Sequence, residues 1–386
     1  MANWITAEEA QARLGVKLQT LYAYTSRGLI ANRADTADPR RSLYAVEDVN
    51  RLSVRKMRGR RASVAHEAMS FGEPVLTSAI TTIAGGRLYY RGRDAAVFSE
   101  TATLEAAARL LWHCEDDDPF LGLAPHPLQA TGPDARARAF SLLALRASVD
   151  PAIAGRADRA LRREAAALMV DLVDAVCGRA GAGPLHDRLA RAWRVEGERA
   201  DAIRRALVLT ADHELNASTF AARIAASTGA SLAAGALAGL STLSGPLHGG
   251  MTAQVTAFIA EARRAADPRG AAMQRLAQGL PVPGFGHPLY PAGDPRAQAI
   301  ARAIRYSDEM RTMAEAFEGV TGAAPNLDFA LVAMARTLGL PAEVPFILFA
   351  VGRTAGWIAH MLEQRSSGSG LIRPRARYVG PTPGEG

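Results

Sequence analysis

An almost wholly α-helical fold in more than one domain is what this sequence predicts, on three observations. Aromatic residues are only 6% of the 386, while Ala and Arg, both strong helix formers, are abundant. Apolar residues recur at helical spacing, as in Leu104, Ala107, Leu110 and Leu111, and again in Leu161, Ala165, Leu168 and Leu172. The length exceeds what one small core fills and suggests two or three domains.

Taken in order, Thr6-Ala7-Glu8-Glu9 has the spacing of a capping box and opens a short helix that turns Ala10 and Leu14 inward and stops at Gly15. A second helix runs from about Leu18 to Arg27, is ended by Gly28, and presents Gln19, Thr20, Tyr22 and Tyr24. Two short helices about a tight glycine turn read as a helix-turn-helix. Ala31 to Pro39 is loop-like, Arg40 to Tyr44 suits a small wing strand, and Val46 to Met57 returns to helix. Residues 55–61 read as an exposed basic linker.

From Pro74, the stretch VLTSAITTIAGGRLYYRGRD reads as a β-hairpin region. Helical stretches follow from Thr103 to about Trp193, separated by Pro-, Gly- and Asp-rich loops at 115–119 and 178–184. No fixed period recurs, which excludes a solenoid.

Composition bounds the function. Hydrophobic content of 48% with 22% charge is ordinary for a globular protein. The richest apolar segment, 344–362, is interrupted by Pro345, Arg353 and His360, so no membrane span is expected. The opening MANWITAEEAQARLG has acidic residues and no apolar core of signal-peptide length. Cys114 and Cys177 lie outside any CxxC spacing, against a disulfide framework or a metal site. These points lead us to expect a cytoplasmic protein. Net charge is +7, and residues 1–61 carry most of it, with 12 Lys/Arg against 6 Asp/Glu. DNA is therefore a candidate partner of that segment, through Arg40 and Arg41 near phosphates. Equally, a small module can serve packing, oligomerisation or regulation with its arginines merely solvated.

Three later segments carry the chemistry: Gly245-Pro246-Leu247-His248-Gly249-Gly250, Gly284-Phe285-Gly286-His287 running on to Asp294-Pro295-Arg296, and Pro325-Asn326-Leu327-Asp328-Phe329. Each sets a titratable residue in a Gly- or Pro-rich turn beside a helical segment. A histidine at a helix mouth has its pKa lowered by the dipole and donates a hydrogen bond while neutral. Two such histidines and a carboxylate suit removal of a proton from carbon together with polarisation of a carbonyl. Asp328 also reads as an N-cap of a helix from about Phe329, a common task for Asp. Arg353 interrupts an apolar run, where a buried cation needs an anion, in the fold or in a ligand. His66, His113, His126, His186 and His360 have no motif around them and read as structural or surface residues.

In this order the segments GPLHGG, GFGH with YxxxDPRA, PNLDF and GRTAGWIAHMLEQ, preceded by ADHELNASTF, resemble the citrate synthase family over residues 68 to the end. The start similarly looks like a MerR or excisionase winged helix-turn-helix. The resemblance implies a citrate synthase-like all-α fold: a winged module at 1–61, a large helical domain at 62–249 and 331–386, and a small domain at 250–330, with a cleft that closes on substrate.

It also implies a citrate synthase of the tricarboxylic acid cycle, condensing acetyl-CoA with oxaloacetate and hydrolysing the thioester. The coenzyme is a substrate and no further cofactor or metal is called for. By resemblance Asp328 is the base, His248 donates to the enol oxygen and His287 polarises the oxaloacetate carbonyl. His213, Arg296 and Arg353 hold oxaloacetate, and Arg373 reaches the neighbouring subunit's site, so a homodimer is expected. No CoA-binding residue can be assigned. Pro288 and Pro291 stand where many members carry Arg and Lys, and Met251-Thr252-Ala253 follows GPLHGG where Ala-Asn is usual. Two alternatives stay open: a 2-methylcitrate synthase using propionyl-CoA, since one methylene is worth only about 1–3 kcal/mol of discrimination, and a DNA-binding regulator whose body senses oxaloacetate or CoA.

Overall fold

The computed structural model describes residues 4–35, 38, 41–50, 52, 76–123, 130–376 and 378–380, and the chain divides into two compact units, Met1–Thr77 and Ser78–Gly386.

In the first unit β1 (Trp4–Ile5) leads to α1 (Ala7–Leu14), opened by the reciprocal Thr6/Glu9 capping box and closed by Gly15 at φ +57°. α2 (Leu18–Ser26) ends one residue before the expected Arg27, which is its C-cap. β2 (Asn32–Ala34) and β3 (Ser42–Ala45) complete an antiparallel sheet of order β1-β3-β2. Ile5, Ala10, Leu14, Leu21, Ile30, Tyr44 and Val49 form its core. Two expectations shift here. Tyr24 packs against this core instead of joining Gln19, Thr20 and Tyr22 on the exposed face, and the strand expected from Arg40 begins at Ser42. Arg41 is exposed beside Asp38, at 3.4 Å; Arg40, the linker 55–61 and the 61/62 boundary lie outside the described residues.

The second unit opens with β4 (Thr81–Ala84), β5 (Arg87–Tyr90) and β6 (Arg93–Asp94), in that order. Gly85 and Gly86, at φ +56° and +72°, make the two-residue turn of the first hairpin, a turn that needs positive φ at both positions. Helices follow: α3 (Ala95–Phe98), α4 (Leu104–Leu111), α5 (Ala135–Val149), α6 (Asp158–Cys177), α7 (Leu185–Ala192) and α8 (Glu198–Leu209). Then come α9 (Ala217–Ser227), α10 (Leu232–Leu243), α11 (Met251–Ala265), α12 (Pro268–Ala277), α13 (Pro295–Ala303), α14 (Asp308–Thr321), α15 (Leu327–Leu338) and α16 (Val344–Ser366). Side-chain caps start many of them, including Thr103, Asp134, Asn216, Ser231 and Ser307, each accepting a hydrogen bond from the first turn.

α16 is the axis of this unit. It is buried continuously from Val344 to Met361, as a helix apolar on every side must be, and it packs against α4, α6, α8, α9, α10 and α15. By length and composition α16 is the one helix among the described residues apolar enough to cross a membrane, so the interruptions at Pro345, Arg353 and His360 did not exclude it; its apolar window is instead wholly buried in the fold. Gly239 of α10 lets the helices close up, because a Cβ there would overlap the Trp357 ring. Burying a side chain of this size stabilises by roughly 2–3 kcal/mol.

Two hydrophobic clusters result. The larger is built around α16. The smaller gathers Val255, Phe258, Ile259, Val282, Met310, Met313, Phe317, Phe329 and Val332 from α11, α14, α15 and neighbouring loops. Within the span expected as a small domain, α13 goes the other way: Ala297, Ala299 and Ile300 belong to the larger cluster. α15 supplies both, Leu327, Ala330 and Leu331 to the larger and Phe329 and Val332 to the smaller. The expected chemistry-bearing segments therefore lie where the two clusters meet.

Candidate active site

The turn Thr210–His213 after α8 is pressed onto α16 where that helix has glycines. A Cβ on Gly352 would overlap Thr210 Oγ1, and one on Gly356 would overlap Asp212 Oδ1 and Ala211 O. Arg353 Nε donates to Thr210 O at 2.8 Å, and the Gly356 N–H to Ala211 O at 3.0 Å. From the hairpin, Tyr90 Oη donates to Val208 O at 3.0 Å and to Asp212 O at 3.3 Å. The next residue, Glu214, adopts φ +50°, uncommon for a residue with a Cβ, and its carboxylate accepts the Ile83 N–H at 2.8 Å.

These contacts set His213 in a buried position with its Nε2 2.9 Å from Tyr290 Oη. Its ring meets His287 edge-on at 5.3 Å between centroids, and Tyr290 lies 4.9 Å from His287. Burial, with Arg296 and Arg353 nearby, lowers His213 well below the ordinary histidine range, so it is neutral.

His287 is lowered to about 4 by burial first and then by Arg296, with Asp294 opposing. Its Nδ1 accepts the Leu289 N–H at 3.1 Å, so the neutral ring carries its proton on Nε2 and is a donor there. The dipole expected to tune it is not the cause: 284–294 is loop, and no helix starts until Pro295.

His248 sits in the turn before α11 and is lowered to about 4 by burial and then by Arg353. Its Nε2 faces Ser218 Oγ at 2.8 Å and Asn216 Oδ1 at 3.2 Å, and its ring packs edge-on against Phe349. Ser218 Oγ also receives the Trp357 Nε1–H at 3.1 Å and lies 2.8 Å from Asn216 Oδ1. The single Ser218 proton thus has two destinations, Asn216 Oδ1 or His248 Nε2. The second leaves His248 protonated at Nδ1.

Asp328 is not the cap of its helix. Asn326 is, accepting the Asp328 and Phe329 N–H groups at 3.0 and 3.4 Å. The Asp328 carboxylate is half-buried, with Oδ1 enclosed and unpartnered among the described residues. Burial pushes it up to about 7, against the pull of Arg296 and Arg353. The two motif segments are joined directly: Phe285 and Pro325 form an antiparallel bridge, Gly286 N donates to Ala324 O, and Asn326 N donates to Gly284 O. Gly284, at φ +87°, lies against Val255 and Phe329, where a side chain would not fit.

The arginines differ. Arg296 is buried and forked onto Asp294 by Nε and Nη2 at 2.9 and 2.8 Å, with its guanidinium over the Tyr290 ring. Asp294 also receives the Leu327 N–H at 3.0 Å and so ties α13 to α15. Arg353, 1% exposed, is lowered to about 10 by burial, and its Nη2 is unpartnered among the described residues. Arg373 is exposed and makes no described contact with this cluster. Among the described residues no group of His, Cys, Asp and Glu is arranged to hold a metal, and Cys114 and Cys177 are free.

Sequence reasoning gave no role to Tyr290, Asn326, Asn216, Ser218 and Asp294, although all five stand in the segments it singled out. Asn directly before an apolar helical run was a legible cap signal at 326 and 216. Tyr290 stood in the quoted YxxxDPRA, with no role assigned to it.

Residues 141–375 match the family described as citrate synthase, C-terminal domain, which is well over half of the chain. The chain belongs to the citrate synthase family. It is 40% identical over 186 residues to a citrate synthase of Haloferax volcanii, covering 45% of this chain and 49% of that protein. It is 35% identical over 187 residues to a 2-methylcitrate synthase of Shewanella oneidensis, covering 46% and 50%. The chain thus spans about half the length of the curated relatives it matches. Among solved structures it resembles citrate synthase from Pyrobaculum aerophilum, at TM-score 0.67 and 24% identity over 82% of this chain and 92% of that one. It also resembles the ternary complex of carboxymethyl coenzyme A and oxaloacetate with citrate synthase from Thermoplasma acidophilum, at TM-score 0.64 and 24% identity over 80% and 94%. These likenesses establish a mostly helical citrate synthase-like fold.

Proposed function

We propose that this citrate synthase family chain condenses acetyl-CoA with oxaloacetate and hydrolyses the product to citrate and free CoA. One observation carries the reading: a carboxylate raised to about 7 with an unpartnered oxygen, and two histidines lowered to about 4 and so neutral, each lie in the field of Arg296 or Arg353. That is a base and two uncharged donors, the set an enolisation and carbonyl addition requires.

Asp328 takes a proton from the thioester methyl, and His248 donates to the oxygen that gains charge. His248 does so from Nδ1 when Ser218 turns its proton onto Nε2. The enol carbon then forms a bond to the 2-oxo carbon of oxaloacetate, whose oxygen His287 Nε2–H polarises and protonates. Water cleaves the resulting thioester, releasing the thiol. Arg353, with its free Nη2, and His213 and Arg296 hold the carboxylates; Arg353 is the readier clamp, since half of the Arg296 fork is committed to Asp294. Arg373 acts across a homodimer in this reading, in the cytoplasm.

Thiol release from acetyl-CoA and from propionyl-CoA, each with and without oxaloacetate, tests this. Oxaloacetate-dependent release from acetyl-CoA is expected. Faster release from propionyl-CoA selects the 2-methylcitrate synthase, a reading the Shewanella relative supports equally. No release from either refutes the enzyme.

For the first unit, two helices followed by a β2–β3 ribbon support a winged helix-turn-helix, with Gln19, Thr20 and Tyr22 on the exposed side of α2. DNA binding by this unit is checked by fluorescence anisotropy with mixed-sequence duplex at low salt, where phosphate contacts are strongest. No binding at any salt removes the DNA-regulator alternative.

A further inference from the structure

His360 and Asp212 are both 0% exposed, on opposite sides of the contact between α16 and the Thr210–His213 turn. His360 Nε2 lies 3.2 Å from Asp212 Oδ2. On its other side, Arg223 Nη1 faces Nδ1 at 3.5 Å, so Nδ1 accepts and the proton sits on Nε2, directed at Asp212. Arg223 is itself balanced by Glu363 at 2.9 Å and held by Gln364 at 2.8 Å. The imidazole therefore lies between the Glu363–Arg223 pair and the Asp212 carboxylate.

Burial alone would raise the Asp212 carboxyl, yet His360 first, then Arg353 and the Thr81 hydroxyl, hold it below the ordinary range, so it is an anion in the interior. Its Oδ1 has no partner among the described residues, and neither has Arg353 Nη2. A buried carboxylate that loses its His360 donor is costly, and a cation within reach then turns to it. Arg353 is that cation.

We propose that His360 is a positioning residue: by satisfying Asp212 it leaves Arg353 free for the substrate carboxylate and fixes the turn that carries His213. This rests on the reading of Arg353 and His213 as binders of the 2-oxo acid. His360 touches no reacting atom.

The test compares the full-length wild type with His360→Leu, His360→Gln and His360→Leu/Asp212→Asn. For His360→Leu, KM for oxaloacetate rises at least about tenfold, while KM for the thioester stays within about twofold. His360→Gln restores an N–H toward Asp212 and brings the oxaloacetate KM back to within about threefold of wild type. Removing the carboxylate as well, in the double variant, recovers it too, because nothing then competes for Arg353. Unchanged oxaloacetate KM in His360→Leu, or a KM still raised in the double variant, overturns the proposal. If His360→Leu does not fold, His360→Met, which also removes the donor and keeps Asp212, replaces it under the same criteria.

Hydrogen exchange of the 208–216 amides is a readout independent of turnover: faster exchange in His360→Leu and wild-type exchange in His360→Gln are expected, and no difference overturns the proposal. Wild-type protein without oxaloacetate-dependent thiol release would refute the enzyme reading instead; oxaloacetate affinity by calorimetry then replaces KM in the comparison.

Discussion

Asn326 caps the helix that carries Asp328, accepting the Asp328 N–H at 3.0 Å. A carboxylate engaged in capping would be held in its charged form and have its pKa lowered. Relieved of that task, Asp328 keeps an enclosed oxygen without a partner and is pushed up to about 7. Catalysis that needs the ionised base must then rise with pH. The expected kcat/KM for the thioester climbs about tenfold per unit below pH 7 and levels above it. His248 and His287, both lowered to about 4, stay neutral throughout that range. A flat profile between pH 5 and 9 would exclude Asp328 as the base.

Asp328→Asn should lower kcat by on the order of 10³ and leave oxaloacetate affinity within about threefold, read by calorimetry. Loss of both would mean a structural role. The same variant has a stability signature. Its carboxyl is raised from 3.8 to about 7 on folding, so the native state binds the extra proton and stability declines as pH rises through that window. Removing the group should move the urea midpoint upward at pH 8 relative to pH 5.

Asn326 has two functions that substitutions can separate. Its Oδ1 caps α15, and its Nδ2 donates to Gly286 O at 3.0 Å, holding the His287 loop to the Asp328 helix. Asn326→Ala loses both, costing about 1 kcal/mol in the cap. Asn326→Asp keeps an acceptor at the cap and loses only the bridge. Both are expected to lower kcat, but only the alanine variant should lower the denaturation midpoint appreciably.

Ser218→Ala should reduce kcat by about 10- to 100-fold, since without the hydroxyl nothing can direct the His248 proton to Nδ1. The Trp357 Nε1–H, 3.1 Å from that hydroxyl, is left buried without a partner. That adds a loss of about 1–3 kcal/mol in stability. Unchanged kcat with lowered stability would assign Ser218 to Trp357 alone.

Much of this was legible along the chain because local chemistry marks local structure. Thr6 and Glu9 announced the first helix, and the stretch VLTSAITTIAGGRLYYRGRD the hairpin region, whose turn the fold puts at Gly85 and Gly86. The glycine- and proline-rich segments pointed to His248, His287 and Asp328. What stayed hidden depends on contacts between distant residues. Tyr290 matters because 77 positions separate it from the His213 nitrogen it meets. His360 read as an unremarkable residue until the fold set it 148 positions from its partner Asp212. The histidine pKa values were expected to follow helix dipoles; burial and neighbouring arginines decide them instead, and neither can be read from spacing.

Gly356 offers a test in which local propensity and packing disagree. Alanine is better than glycine in a helix interior by roughly 1 kcal/mol. At Gly319, exposed on α14 with nothing within 4 Å of a new Cβ, Gly319→Ala should therefore gain about 0.5–1 kcal/mol and leave turnover unchanged. At Gly356 the same methyl would overlap Asp212 Oδ1 and Ala211 O, in a helix whose neighbours are all buried. Overpacking of this kind costs about 1–3 kcal/mol, enough to cancel or exceed the propensity gain. The turn has one direction in which to yield, outward from α16, and in moving it draws Asp212 from His360 and shifts His213. Gly356→Ala is accordingly expected to lose stability and to raise the oxaloacetate KM. Gly356→Ala behaving like Gly319→Ala, more stable with KM unaltered, would mean that the turn is free to move without consequence for binding.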